Sequence, residues 1–169
     1  MRPVTVVIPT LDSSDLLEAN LPALFAEFER RAVGDELLLV DDTGTGALED
    51  WAATHLAGKP ARLLVRKSNG GFAPAVETGV AAASHDLVFS MNSDLRVQPG
   101  FLEPLVEALE GPAPDGFERV FAAVPRVHLD GDPDHDEAYM LLDLSGGLLH
   151  FRDVDPGPSP TSSTPVAYA

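Results

Sequence analysis

Four short apolar runs constrain this chain more than any other feature: VTVVI at residues 4–8, ELLLV at 36–40, ARLLV at 61–65 and LVFSM at 87–91. None shows the apolar–polar alternation of a strand with one wet face, so each suits a strand buried on both sides. Helical patterns separate them. Leu17, Leu21, Leu24 and Phe28 recur at spacings of four and three, the stripe of an amphipathic helix over residues 13–31. Asp12, Ser13 and Ser14 offer oxygens to cap its start. Pro22 lies inside that pattern and predicts a kink or a restart, because an interior proline loses a backbone bond and crowds the preceding turn. Further helices are expected over residues 47–56, 72–84 and 99–110, the last with proline near its first turn. Strands alternating with helices indicate an α/β fold, a Rossmann-like, mostly parallel sheet with helices on both faces.

The character changes after Pro112. Residues 119–127 read as one more strand. Between Asp130 and Asp155 eight acidic residues face a single basic one, Arg152, and residues 130–137 read as a solvated loop. Two short runs, 139–144 and 148–151, flank Ser145-Gly146-Gly147 and predict a β-hairpin. Residues 156–169 hold four prolines and five Ser/Thr, a composition of loop or disorder. The final VAYA reads as the start of a strand, which suggests a fragment of a longer chain. Domains are therefore expected at 1–127, a ligand-binding core, and at 128–169, the start of an incomplete second region.

Charge and composition narrow the function. With 169 residues the chain is long enough for one domain with a proper core. A net charge of -16 argues against nucleic acid or an anionic membrane surface as a partner. It also makes a bare phosphate ligand awkward unless a cation or a local cluster of donors offsets the charge. The absence of cysteine excludes disulfides and thiolate-bound metals. No stretch has the roughly 18 apolar residues of a membrane span, and the first strand leaves no room for a signal peptide. The expectation is a cytoplasmic protein, or one peripheral at the inner face of the membrane.

Ligands of open parallel sheets bind beyond the carboxyl ends of the strands, and the residues there are informative. The first run is followed by Pro9-Thr10-Leu11-Asp12 and the second by Asp41-Asp42-Thr43-Gly44. The third leads into Arg66-Lys67-Ser68-Asn69-Gly70-Gly71 and the fourth into Asn92-Ser93-Asp94. Each alone reads equally as turn chemistry. The aspartate pair can cap a helix, and Asn69-Gly70-Gly71 can supply positive-φ residues or bare amides for phosphate. Together, three acidic clusters and one basic, glycine-rich turn at one edge suit transfer from a nucleotide-diphosphate donor. A carboxylate beside a diphosphate is a natural seat for Mg²⁺ or Mn²⁺.

VTVVIPTLDSSDLL, LLLVDDTGTG, NGGFAPAVETGV and LVFSMNSDLRVQPGFLEPLV, in this order and spacing over residues 3–110, resemble family 2 glycosyltransferases of the GT-A fold, nearest the bacterial rhamnosyltransferase-like branch. The resemblance implies a nucleotide-sugar (UDP- or dTDP-linked) donor, inverting transfer to a saccharide or lipid-linked acceptor, and a role in cell-surface polysaccharide biosynthesis. By it, Pro9, Thr10 and Asp12 line the base pocket; Asp41 and Asp42 enclose base and ribose, with Asp42 accepting a hydrogen bond from the base. Asn69 and Gly71 shape the donor pocket. Asn92, Ser93 and Asp94 form a DXD-like motif in which Asp94 binds the metal and Ser93 approaches ribose or diphosphate. Two departures stand out: Asn92 replaces the motif's first aspartate, and Val76 and Glu77 stand where relatives carry asparagine or arginine. The family's catalytic base is expected beyond residue 169. A nucleotide-sugar-binding module without catalysis is the alternative. A dinucleotide-binding domain, a sugar-phosphate nucleotidyltransferase and a phospho-receiver fit less well, since their glycine-rich or acidic signatures are absent after the first strand.

Overall fold

A computed structural model describes residues 1–113, 118–129, 132–136, 140–145 and 148–153. The chain divides into two compact units, Met1–Gly100 and Phe101–Ala169. In the first, β1 (Val4–Thr10), β2 (Glu36–Asp41), β3 (Ala61–Val65) and β4 (Leu87–Ser90) form one sheet in the order β3-β2-β1-β4. Every pairing is parallel. The helices α1 (Ser14–Arg31), α2 (Glu49–His55) and α3 (Phe72–Ala82) are the crossovers. The chain steps from β1 outward to β2 and β3, and α3 then carries it back across to β4 on the far side of β1. That reversal is the topological switch point where such sheets hold ligands.

The apolar runs do bury both faces. Val6, Ile8, Leu37 and Leu39 are at most 1% exposed. On the opposite face Val7, Leu38 and Val40 cluster with Ala75 of α3. Gly79 lets α3 approach this closely, because a Cβ there would lie 2.3 Å from Val7 Cγ1. The glycine is needed for space and not for its backbone angles.

Several expectations need correction. Pro9 does not end β1 but lies within it. Val7 accepts from Met91 N on the β4 side, and Thr10 accepts from Asp42 N on the β2 side. Pro9, two residues past Val7, therefore turns its missing N–H toward β4, beyond the last paired β4 residue, Ser90. No ladder bond is lost, which is the condition for proline in a strand. The restart at Pro22 does not occur, and α1 is one helix through it. Leu17 and Leu21 before the proline, with Leu24, Phe25 and Phe28 after it, are all buried, and their burial outweighs a proline cost of about 3 kcal/mol. The expected cap is also absent: Ser13 Oγ donates to Leu11 O at 3.5 Å and not to the helix.

In the second unit α4 (Leu102–Glu110) buries Leu102 and Val106. Residues 119–127 carry no strand. Pro125 interrupts the run, and Phe121 is 91% exposed, so the largest apolar side chain of the run is left in solvent. The acidic stretch expected as loop contains β6 (Asp132–Asp136), paired antiparallel with β5 (His128–Leu129). Charged residues and proline are tolerated on such short edge strands. β7 (Met140–Ser145) and β8 (Leu148–Asp153) pair antiparallel with Ser145 opposite Leu148, as the hairpin reading requires. Its Gly146-Gly147 turn, Tyr139 and the tail 154–169 lie outside the described residues. Among the described residues no helix is long and apolar enough to cross a membrane.

Candidate functional site

The register places the strand ends together. Thr10 pairs with Asp41, and Asp41 with Val65. Asp42 N then donates to Thr10 O at 3.0 Å, and Arg66 N donates to Asp41 O at 2.9 Å. The turns after β1, β2 and β3 thus leave one edge side by side, with the Asn92–Asp94 turn across β1. A strand reverses its side chains at every residue, so the two adjacent aspartates separate. Asp41, fully buried, folds back into its own loop. Its Oδ1 accepts from Thr43 N at 2.8 Å and from Thr43 Oγ1 at 2.6 Å, and its Oδ2 accepts from Leu48 N at 3.3 Å. It organises the start of α2.

Asp42 points instead to the β3–α3 turn. Its Oδ1 pairs with Arg66 Nη1 and accepts from Gly70 N at 3.1 Å. Its Oδ2 accepts from Gly71 N at 2.8 Å and from Gly70 N at 3.2 Å. Burial would push this carboxyl up, but the Gly70 and Gly71 amides and the Arg66 guanidinium together hold it below its ordinary value. Gly70 is shaped by the same contact, since a Cβ there would sit 2.6 Å from Arg66 Nη1. Gly71, at φ 86°, immediately precedes α3 and also donates to Asn69 Oδ1 at 3.0 Å. Gly44 adds a second close approach: its Cβ would meet Ser68 Cα at 2.8 Å, so the turns after β2 and β3 abut backbone to backbone.

Thr10 is 4% exposed, and its Oγ1 has no hydrogen-bond partner. A buried hydroxyl left unmade is costly, and a bound molecule at this edge would complete it. Pro9 is half-buried beside it. Asp12 is exposed and holds φ 54°, a left-handed conformation that aspartate tolerates. Beyond β4, Asn92 and Asp94 are exposed and Ser93 half-buried. Leu95 N closes the turn on Asn92 O at 3.4 Å, and Asn20 of α1 anchors it by donating to Ser93 O at 2.9 Å.

Arg66 and Asn20 are not among the site residues to which the sequence points. An arginine directly after a strand and ahead of Asn-Gly-Gly is a usable signal for the first. Nothing in the sequence flags the second. Trp51 is half-buried: its Nε1 donates to Glu18 Oε1 at 3.0 Å and its ring stacks on His55.

Among the described residues no three or more His, Asp or Glu side chains converge to hold a metal. Asp94, an exposed carboxylate directly after Asn92 and Ser93, suits an ion shared with a ligand's phosphates, the usual way Mg²⁺ is held. The amino edge of the sheet offers a shallow cavity of about 160 Å³ lined by Phe25, Phe28, Lys59 and Pro60. That is below the range of small-molecule sites, roughly 300–1,000 Å³.

Residues 5–126 match the family model of glycosyl transferase family 2. A dolichol-phosphate mannosyltransferase of Pyrococcus furiosus is 28% identical over 109 residues, 63% of this chain and 30% of the relative. Among solved structures, the mannosyltransferase PcManGT from Pyrobaculum calidifontis, in complex with GDP-Man and Mn²⁺, is similar with a TM-score of 0.55 and 27% identity, over 66% of this chain and 34% of that one. Staphylococcus aureus TarS 1-349 in complex with UDP-GlcNAc matches with a TM-score of 0.52 over 60% of this chain and 29% of that one; at 17% identity it shows the fold alone. The chain spans about a third of the length of these proteins. The neighbours are glycosyltransferases of the GT-A fold, and the parallel sheet here is of that kind.

Proposed function

The chain belongs to glycosyl transferase family 2, and from that premise we propose that its strand-end edge binds a nucleotide-diphosphate sugar whose sugar passes, with inversion, to an acceptor hydroxyl. The observation that carries this reading is the register bringing Thr10, Asp42 and the Arg66–Gly71 turn to one edge, across β1 from Asp94. Pro9, Thr10, Asp12 and Asp42 would face the base, with Asp41 fixing the loop beside it. Asn69 and Gly71 would bound the pocket, and Asn92 and Ser93 would approach ribose and diphosphate. Asp94 would hold Mn²⁺ or Mg²⁺ together with the donor's phosphates. Such an ion supplies charge neutralisation as the diphosphate leaves. The mannosyltransferase structure with GDP-Man and Mn²⁺ supports metal use and adds GDP to the UDP and dTDP expected from the sequence.

Transfer also needs a carboxylate to take the acceptor's proton, and no described residue is assigned that role. Donor binding is therefore the first property to test in this chain. The acceptor is a saccharide or a lipid-linked one in cell-surface polysaccharide synthesis, met in the cytoplasm or at the inner face of the membrane.

Calorimetric titration with UDP, dTDP and GDP, each with and without Mn²⁺, tests the reading. The expected result is metal-dependent binding of one nucleotide, weakened about tenfold or more in a folded Asp94→Ala variant, the scale of one lost charge-assisted contact. Metal-independent binding, or binding unchanged in Asp94→Ala, would remove Asp94 from the site.

A further inference from the structure

The groups read as the donor site are paired with each other. A carboxylate has about four lone-pair positions, and three donors already hold that of Asp42: Arg66 Nη1 on Oδ1, Gly71 N on Oδ2, and Gly70 N shared between the two. A base N–H that approaches Asp42 competes with these three donors. The Gly70 and Gly71 amides, which ahead of α3 would suit a phosphate oxygen, are turned onto the same carboxylate. Three features show a fitted contact. Gly70 has no positive φ, yet a Cβ on it would meet Arg66 Nη1 at 2.6 Å and Nη2 at 2.7 Å, so it is the guanidinium that needs the glycine. The Asp42 side chain is 6% exposed against 19% for Arg66, which leaves the cation at the rim and the anion beneath it. Beside them, Thr10 Oγ1 remains buried with no partner.

We propose that the Arg66–Gly71 turn is an internal latch, occupying Asp42 in the free protein and exchanging it for the nucleotide base when the donor binds. The inference rests on the nucleotide reading and gives that site a closed state. The nucleotide competes with the chain's own donors, and its apparent affinity is lowered by the fraction of molecules in which the turn is shut. On opening, Asp42 gains the base while the amides of Gly70 and Gly71 become free for an anionic oxygen.

Gly70→Ala tests this without removing charge. The added methyl displaces only the flexible end of Arg66, so the variant is expected to fold while its guanidinium leaves Asp42. Calorimetry with UDP, dTDP and GDP in the presence of Mn²⁺ should show Gly70→Ala binding about two- to fivefold tighter than the parent, the scale of one partly exposed ion pair. Arg66→Lys, which keeps the charge but not the fork, should move the same way. In ¹⁵N-labelled protein the Gly70 and Gly71 amide signals should shift out of their carboxylate-bonded positions as nucleotide is added. If the parent binds nucleotide while both amides keep those positions, or if Gly70→Ala binds no tighter, the latch is refuted and the nucleotide reading stands. If neither parent nor variant binds any of the three nucleotides, both fall together.

Discussion

The two edges of the sheet each hold an arginine–aspartate pair, and the pairs are built for different purposes. At the amino edge Arg31 and Asp35 are both 0% exposed at the side chain and joined twice, at 2.7 and 3.2 Å. Asp35 also accepts from Val4 N at 2.8 Å, and Arg31 donates to Arg2 O at 2.9 Å. That pair ties the end of α1 to the starts of β1 and β2. At the carboxyl edge Asp42 is buried but Arg66 is 19% exposed at the side chain, and they join two turns and no helix. Burial on every side makes a contact structural; a rim position with a partner that can leave makes it exchangeable.

The largest effect should come from the amino edge. Arg31→Ala leaves a buried carboxylate without its cation and is expected to cost about 3–5 kcal/mol in urea unfolding. Arg66→Gln should cost less, about 1 kcal/mol, because its guanidinium lies at the rim and the Gly70 and Gly71 amides still hold the Asp42 carboxylate. Equal losses in the two variants would break the distinction between the edges. Between them stands Gly79→Ala, whose methyl drives into Val7 and should cost about 1–3 kcal/mol by overpacking.

The smallest effect is in pH, and it sharpens the comparison. Burial pushes Glu36 up, but Ser84 N at 2.7 Å and Thr5 Oγ1 at 2.8 Å, with Arg62 nearby, hold it below its ordinary 4.5. Asp42 is likewise held below 3.8. A depressed carboxyl adds stability that is fully present above its unfolded pKa and is lost as pH falls through the folded value. Stability should therefore decline as pH drops below about 4.5. Glu36→Gln and Asp42→Asn should each flatten part of that decline in acid titrations followed by circular dichroism. An unchanged acid limb in both would contradict these assignments.

How much of this is legible in the sequence varies by element. The four strands are, because unbroken apolar runs between helical stripes admit few other arrangements; β3 has the bounds its pattern gives. Residues 119–127 carry the same signal and form no strand, since composition does not report whether a partner strand is beside them. Pro9 misleads in the opposite direction: a strand tolerates proline where its neighbour has ended, and only the register reveals that. The strand-end residues are legible as a group, but their roles are not. Asp41 and Asp42 are identical and adjacent, and only the alternation of the strand separates the carboxylate that builds a loop from the one that faces the turn after β3. The contact of Arg66 with Asp42 spans 24 positions and has no local signature.

The central claim, that the carboxyl edge binds a metal–nucleotide complex, is tested most directly by paramagnetic broadening. Mn²⁺ added with UDP, dTDP or GDP to ¹⁵N-labelled protein erases amide signals near the ion. The account predicts loss first at Ser93 and Asp94, then at Thr10, Asp42 and Gly71, with Gly34, Asp35 and Lys59 at the amino edge unaffected. Broadening centred on the amino edge, or spread evenly over the acidic surface, would contradict it.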